Sequence, residues 1–179
     1  GDRPMTFRPN LAAKLKPGQT YEEELAKLSL SEGFLVSPKL DGIRCIMHPK
    51  LGPITRSGKQ IPNRALRRFF LDNFFAVSGF DGEFVWGDHE SPDYSFQKTF
   101  SKFSTEEDDD ISQMMYHVFD DITHPNAQFF ERVFHYIARV TQLPSAIREH
   151  FEIVPQPVAY TLAEVLAKEA HYLSRNYEG

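Results

Sequence analysis

The most informative stretch of this chain is "SPKLDGIR", residues 37–44. It places Lys39 two residues before Asp41, with Gly42 directly after that aspartate and Arg44 two positions further on. A lysine attacks an electrophile only when it is deprotonated, a state that burial and neighbouring cations favour. Lys39 ends an apolar stretch and lies near Arg44, while Gly42 permits a tight turn and the close approach of a ligand. Taken alone, the pattern fits a nucleophilic lysine and an ordinary charged hairpin turn equally well.

The residues on either side of this stretch predict strands. "GFLVSPK" (33–39) has the composition of a strand, and "GIRCIMH" (42–48) alternates apolar positions in the way a half-buried strand does. We therefore expect a hairpin whose turn lies at or near residues 39–42. "GPITRSG" (52–58) predicts a short third strand between turn residues.

The rest of the chain alternates between helix and strand patterns. Helices are predicted for 20–28, for 63–75 with Asn63 as cap, within 91–103 with Ser91 as cap, for 127–143, and for 161–176. In the fourth of these, Phe130, Val133, Phe134 and Ile137 are expected to form the apolar face. Further strands are predicted for 80–86, for 114–122, and for 151–160, where prolines favour a sheet edge. This mixed order predicts an α+β fold with mostly antiparallel sheets.

Composition limits the classes of function. The chain has 179 residues, which suggests one domain, and a formal net charge of -5, whereas a DNA-binding module that relies on a basic surface is usually positive. Nucleic-acid contact would therefore need a local basic patch or a part of the protein not present here. Cys45 is the only cysteine, and no long apolar segment occurs. We expect a cytoplasmic protein with no membrane partner.

Three common kinds of functional site are not supported. "GPITRSGKQ" has five residues between its glycines rather than four, and Gln60 replaces the Ser or Thr that a phosphate-binding loop requires. The Cys and His residues lack the spacing of zinc ligands, and there is no G-x-S-x-G motif.

Three further segments bear on Lys39. Glu83 lies in the middle of "FDGEFV" (80–85), where an unpaired carboxylate among apolar neighbours is costly. Phe119 precedes two aspartates in "HVFDDI" (117–122), and Glu178 lies in "NYEG" (176–179). Each segment alone also fits an unremarkable role, since a strand Glu is usually at an edge and a strand Phe is usually in the core.

Taken together and in this order, the segments resemble the signature of the covalent nucleotidyltransferases, which comprise ATP-dependent DNA ligases, RNA ligases and mRNA capping enzymes. "PKLDGIR" resembles motif I, "TRSGK" (55–59) the R-x-G segment, "FDGEF" motif III, "VFDDI" motif IIIa and "YEG" motif IV. "RPNLAAKL" (8–15) resembles the lead-in of many DNA ligases. The resemblance implies an ATP-grasp-like nucleotidyltransferase domain over residues 1–179. We expect it to be truncated at its C-terminal end, because motif V and the OB-fold are absent from this chain.

The resemblance also implies roles for individual residues. Lys39 becomes covalently adenylated by ATP, and Phe119 stacks on the base. Glu83 lies near the ribose and, with Glu178, serves Mg²⁺. The residues expected to contact the nucleotide are Pro38, Leu40, Arg44, Arg56, Glu83 and Phe119.

One dense basic stretch is a candidate for DNA contact, although the start of a solvated helix would have the same composition. It consists of Arg56, Lys59, Arg64, Arg67 and Arg68. The resemblance favours the adenylation domain of an ATP-dependent DNA ligase that acts as a monomer on nicked duplex DNA. An RNA ligase, a GTP-using capping guanylyltransferase and an inactive nucleotide-binding fragment are the alternatives.

Overall fold

The structure is a computed structural model and describes residues 34–35, 39–107, 110–156, 158–159 and 162–175. Pro38, Glu178, the lead-in segment 8–15 and the predicted helix 20–28 lie outside these ranges. The strands are β1 (Phe34–Leu35), β2 (Ile43–His48), β3 (Gly52–Thr55), β4 (Phe80–Trp86), β5 (Met114–Asp121), β6 (Phe151–Ile153) and β7 (Val158–Ala159). The helices are α1 (Arg64–Asp72), α2 (Phe74–Val77), α3 (Phe96–Ser104), α4 (Phe129–Thr141), α5 (Ser145–Arg148) and α6 (Leu162–Leu173).

Five strands form the main sheet, in the order β3-β2-β4-β5-β6. Only the β5–β6 pair in this sheet is parallel, and β1 pairs with β7 in a separate antiparallel two-stranded sheet. The predicted α+β class with mostly antiparallel sheets is confirmed, as is the edge position of the strand that begins at Phe151. Within the described ranges, no helix is both long and apolar enough to cross a membrane.

The predicted hairpin between residues 33–39 and 42–48 is wrong. β1 pairs with β7, with Phe34 opposite Ala159 and Leu35 opposite Val158. The reason is that β2 lies inside the main sheet, with β3 hydrogen-bonded along one edge and β4 along the other. β2 therefore has no edge left for the strand that precedes it.

Alternation along the strands separates the core from the opposite face of the sheet. Cys45 of β2, Phe84 of β4 and Tyr116 of β5 are fully buried. The ring of Phe70 on α1 packs edge-on against the two aromatic rings, with centroids 5.2 Å from Phe84 and 5.5 Å from Tyr116. Because successive side chains of a strand point to opposite faces, the residues next to these three in sequence line the other face.

The helix starts show where local signals succeed and fail. Asn63 caps α1 as predicted, since its Oδ1 accepts a hydrogen bond of 3.0 Å from the backbone N–H of Leu66. The predicted Ser91 cap is wrong. The N–H of Tyr94 donates to the Ser91 carbonyl at 3.0 Å and closes a turn, so that α3 begins later, with Ser95 as its cap.

The predicted apolar face of α4 is wrong for three of its four residues, since only Val133 packs against the core. The helix buries Phe129, Tyr136 and Val140, whereas Phe134 is 71% exposed and both Phe130 and Ile137 are 37% exposed. Apolar residues occur on both sides of this helix, so periodicity alone did not distinguish them. The hydroxyl of Tyr136 donates to the Val154 carbonyl at 2.9 Å, which helps to fix the buried side.

Candidate active site

A row of polar side chains crosses the main sheet on the face opposite the core. Arg44 on β2 is paired in register with Glu83 on β4, and Glu83 is paired with His117 on β5. Paired residues of adjacent strands point to the same face, and the strands lie about 4.8 Å apart. The sheet therefore places a cation, a carboxylate and an imidazole side by side.

The guanidinium of Arg44 is held by a carboxylate on the neighbouring strand. Its Nη2 lies 2.7 Å from Oδ2 of Asp81, and its Nε lies 3.2 Å from Oδ1. The side chain of Asp81 is 6% exposed and that of Arg44 is 44% exposed. Burial raises the pKa of Asp81 despite the opposing effect of Arg44, and the hydrogen bond to Asp81 raises the pKa of Arg44. Arg44 thus remains a cation, with its orientation set by a buried partner.

Phe119 occupies an irregularity in β5. Asp81 lies opposite Asp120 and Gly82 lies opposite Val118, so Phe119 is the additional residue of a β-bulge. Bulges change the direction in which a side chain points, and they are frequent beside active sites. The guanidinium carbon of Arg44 lies 5.8 Å from the centroid of the half-buried Phe119 ring. Two residues predicted to contact the nucleotide are therefore neighbours.

The segment that carries Lys39 crosses the sheet next to Glu83. A Cβ atom added to Gly42 would lie 2.4 Å from the carbonyl oxygen of Phe84 and 3.2 Å from Oε2 of Glu83. Only glycine allows so close an approach of two backbone segments. The hydroxyl of Tyr94 donates a hydrogen bond to the Asp41 carbonyl, which also helps to hold the Lys39–Gly42 segment in place. Leu40 is buried and Lys39 is half-buried at this crossing.

The basic stretch divides into exposed and internally bonded side chains. Arg56, Lys59, Arg64 and Arg68 are exposed, the first two near the turn after β3 and the others on α1. Arg67 instead donates to the Ile61 carbonyl at 3.1 Å and is half-buried.

The carboxylates that follow Phe119 are held by α4. Nε of Arg132 lies 2.8 Å from Oδ1 of Asp120, and Nη1 of Arg139 lies 2.9 Å from Oδ2 of Asp121. Burial opposes the charged form of Asp121, but hydrogen bonds from Thr123 and Arg139 lower the pKa of this carboxyl overall. Both aspartates therefore fasten the end of β5 to the helix behind it. The arginines seven residues apart on one predicted helix were the signal in the sequence for this arrangement.

The described residues offer limited means of holding a metal ion. Among them, no group of three or more His, Cys, Asp and Glu side chains is suitably placed. Mg²⁺ at phosphoryl-transfer sites is commonly bound through one or two carboxylates together with substrate phosphates. Glu83, whose Oε2 is shielded from solvent next to the Gly42 crossing, fits such a role.

Sequence reasoning did not identify His117. It is 5% exposed and borders a cavity of about 630 Å³ that Leu40 and His89 also line. Its ring meets that of His89 edge-on, with centroids 4.9 Å apart. Burial, together with the neighbouring His89, lowers the pKa of His117 to about 3. The available signal was its place two residues before Phe119, which puts it on the site face of β5.

Comparison with known proteins supports the resemblance to DNA ligases. No protein-family model and no curated protein sequence matches the chain. Two crystal structures of Chlorella virus DNA ligase-adenylate match it with 26% identity and TM-scores of 0.65 and 0.67. Each match covers 81% of this chain and about half of the viral enzyme, 52% and 51%. A structure from a study of DNA binding by Lig E DNA ligases matches with 18% identity and a TM-score of 0.63. This match covers 92% of this chain and 59% of that one, and it supports the fold alone. The chain therefore has the ligase-type nucleotidyltransferase fold of ATP-dependent DNA ligase adenylation domains.

Proposed function

We propose that this chain performs the adenylation chemistry of an ATP-dependent DNA ligase. The observation that carries the proposal is the crossing of the Lys39–Gly42 segment over β4 beside Glu83, within a domain of ligase-type fold. The crossing supports an arrangement in which Lys39 lies near an acidic residue, Glu83, and near Arg44 and the ring of Phe119. The combination suits a lysine nucleophile that attacks a nucleotide.

The first step is the transfer of AMP to Lys39. The Nζ atom attacks the α-phosphorus of ATP, the bond from that phosphorus to the bridging oxygen of the β-phosphate breaks, and pyrophosphate leaves. The amine loses its proton, and a phosphoramidate joins AMP to Lys39. Reactions of this kind depend on alignment and on neutralisation of charge in the transition state.

The residues around Lys39 have complementary roles in this proposal. Phe119 stacks on the base, Arg44 neutralises charge near the ribose and phosphates, and Leu40 and Pro38 flank the nucleophile. Glu83 and Glu178 hold Mg²⁺, which neutralises charge on the phosphates when it is bound. Arg56 contributes at the nucleotide or at the nucleic-acid end.

The later steps act on DNA. AMP moves from Lys39 to the 5′-phosphate of a nick, and the 3′-hydroxyl then displaces AMP to seal the strand. Exposed side chains of the basic stretch contact phosphates of the duplex despite the net charge of -5. The proposal includes a monomeric protein that acts in the cytoplasm. Residues 1–179 would form part of an adenylation domain that motif V and an OB-fold complete.

Labelling with a nucleotide tests the proposal directly. The chain is incubated with Mg²⁺ and either [α-³²P]ATP or [α-³²P]GTP, and acid-labile label on the protein is measured. We expect weak label from ATP, none from GTP, and none from ATP with Lys39→Ala. Lys50→Ala is the matched control, because Lys50 is an exposed lysine in the turn between β2 and β3.

The alternatives give different results in the same assay. Labelling from GTP would indicate a capping enzyme, and the absence of label in both this chain and an extended one would indicate an inactive nucleotide-binding fragment. Labelling from ATP followed by sealing of nicked RNA, but not of nicked DNA, would indicate an RNA ligase. Undiminished label in Lys39→Ala would exclude Lys39 as the nucleophile.

A further inference from the structure

The cavity beside His117 has the size of a small-molecule site. Its volume of about 630 Å³ lies within the range of about 300–1,000 Å³ that is usual for such sites. Apolar side chains form part of its wall, and polar side chains, three of them acidic, form much of the rest; the polar ones come from the loop after β4, from β5 and the residues before it, and from β6. The residues used below are Leu40, Met115, His117, Val154 and His89.

His117 is the most deeply buried polar side chain of this wall. Within the part of the chain that the structure describes, its Nε2 has no hydrogen-bond partner. A buried polar atom without a partner destabilises the folded protein, so such atoms need an explanation. Because the ring stays neutral down to low pH, one of its nitrogens can donate a hydrogen bond and the other can accept one. A ligand with a polar edge would satisfy the Nε2 atom.

The position of His117 relates the cavity to the nucleotide. His117 is paired with Glu83, the residue proposed to lie near the ribose, and it precedes Phe119 by two residues on the same face of β5. Leu40, which follows Lys39 in sequence, also lines the cavity. If the ribose lies at Glu83 and the planar base stacks on Phe119, one edge of the base would point towards His117.

We propose that His117 hydrogen-bonds the edge of the purine base and determines which base the site accepts. The inference rests on the proposed function and adds a specificity-determining residue to it. Stacking on Phe119 tolerates any base, because every base has a flat aromatic face. A single buried hydrogen-bonding group discriminates strongly, since the wrong base leaves that group unsatisfied.

The test compares His117→Phe with the wild-type chain by calorimetric titration with ATP and with GTP. We expect the substitution to weaken ATP binding about tenfold, the effect of one hydrogen bond, and to reduce the preference for ATP over GTP. The melting temperature should stay the same or rise, because a buried unsatisfied nitrogen has been removed. His117→Leu is a second variant in case the phenylalanine ring is not accommodated.

Two controls separate base recognition from a change in the shape of the cavity. His89→Phe alters the other ring of the pair but retains His117, and should leave the ATP-to-GTP preference unchanged. His117→Gln retains a polar amide and should bind ATP within about threefold of the wild-type chain. The remaining probes each remove one group from the base edge: purine riboside triphosphate, 1-deaza-ATP and 7-deaza-ATP. For at least one of them, the loss caused by His117→Phe should disappear.

The outcomes distinguish this inference from the function on which it rests. Equal ATP affinity and preference in His117→Phe and the wild-type chain would overturn the role of His117 and leave the proposed function intact. Equal losses in His117→Phe and His89→Phe, or a loss that persists with every analogue, would also overturn it. If neither the wild-type chain nor a version extended through motif V and the OB-fold binds a nucleotide, neither proposal stands.

Discussion

Both carboxylate oxygens of Asp81 bind the guanidinium of Arg44, at 2.7 Å and 3.2 Å. The same guanidinium lies over the ring of Phe119, 5.8 Å from its centroid. One buried aspartate on β4 therefore sets the direction of the cation on β2 and its position relative to the aromatic residue on β5. Bidentate pairing gives geometric specificity as well as energy, so we regard Asp81 as a positioning residue.

Asp81→Asn is expected to impair the nucleotide site more than the fold. The asparagine avoids the cost of burying a charge, which offsets the lost ion pair, so the free energy of unfolding at pH 7 should change by less than about 1 kcal/mol. Arg44 would lose its fixed orientation, and we expect ATP to bind less tightly, with a lower rate of Lys39 labelling. Calorimetry and urea unfolding measure the two effects. A large loss of stability with normal binding would show that the pair serves the fold alone.

The effect of Asp81→Asn on the free energy of unfolding should depend on pH. Because burial raises the pKa of Asp81 in the folded state above its ordinary value of 3.8, the folded state binds the proton more readily than the unfolded state. The stability that this difference contributes is fully present below pH 3.8 and is lost as the pH rises through the folded-state pKa. The Asp81→Asn variant has no carboxyl at this position, so its stability does not fall in this way as the pH rises. Its stability relative to the wild-type protein should therefore be more favourable at pH 7 than at pH 3.5, and the reverse order would contradict the assignment.

Several features of the site were predictable because they follow from local patterns. The strands that carry Arg44, Glu83 and Phe119 were predicted, the first of them from alternation, and Asn63 was apparent as a helix cap. The bulge at Phe119 was not predictable, because it arises from a mismatch between β4 and β5 at residue pairs that are 36 and 39 positions apart in sequence. The partner of β1 was likewise determined by competition for the edges of β2. His117 was missed because the hydrogen-bonding state of a buried side chain depends on every neighbour.

Gly42→Ala should disable the nucleophile while the core remains intact. The new Cβ would lie 2.4 Å from the Phe84 carbonyl, so the Lys39 segment has to move away from β4. A displacement of about 1 Å in a catalytic group can lower the rate about a hundredfold, and we expect a loss of labelling of that order. Gly52→Ala, at the start of β3, is the control, because its added Cβ would lie no closer than 3.8 Å to Leu71 although its φ is +79°. It should cost about 1 kcal/mol of stability and leave labelling unchanged, and similar labelling in both variants would argue against the crossing as a catalytic feature.

Phe119→Ala is expected to weaken ATP binding by about 1–3 kcal/mol, the contribution of stacking one base on an aromatic ring. Phe119 is half-buried in a bulge rather than packed in the core, so the melting temperature should fall only slightly. Phe75→Ala, at a residue that is 83% exposed, should change neither quantity. Unchanged affinity combined with a large loss of stability would assign Phe119 to the core instead.

The basic stretch allows a matched comparison on α1. Arg68 is exposed, and Arg68→Ala should weaken DNA binding and reduce the salt dependence of log K by about 1, as expected for one lost phosphate contact. Arg67 donates to the Ile61 carbonyl, so Arg67→Ala should lower stability by about 1 kcal/mol and leave the salt dependence unchanged. Fluorescence anisotropy with a nicked duplex at several salt concentrations measures both variants. The same salt dependence in Arg68→Ala and the wild-type chain would remove this arginine from the DNA surface.

Nick sealing is expected to require more than this chain. The chain spans about half the length of the Chlorella virus ligase, and the residues proposed for the site, from Lys39 to Phe119, would serve mainly the nucleoside end of ATP. Positioning and charge neutralisation of the triphosphate supply much of the rate in such reactions, and in the proposed assignment motif V and the OB-fold provide them. We therefore expect the chain to bind ATP weakly, to form little lysyl-AMP and to seal no nicks in a labelled duplex with Mg²⁺. A version extended through motif V and the OB-fold should seal them, whereas equal sealing by the two proteins would show that residues 1–179 are sufficient.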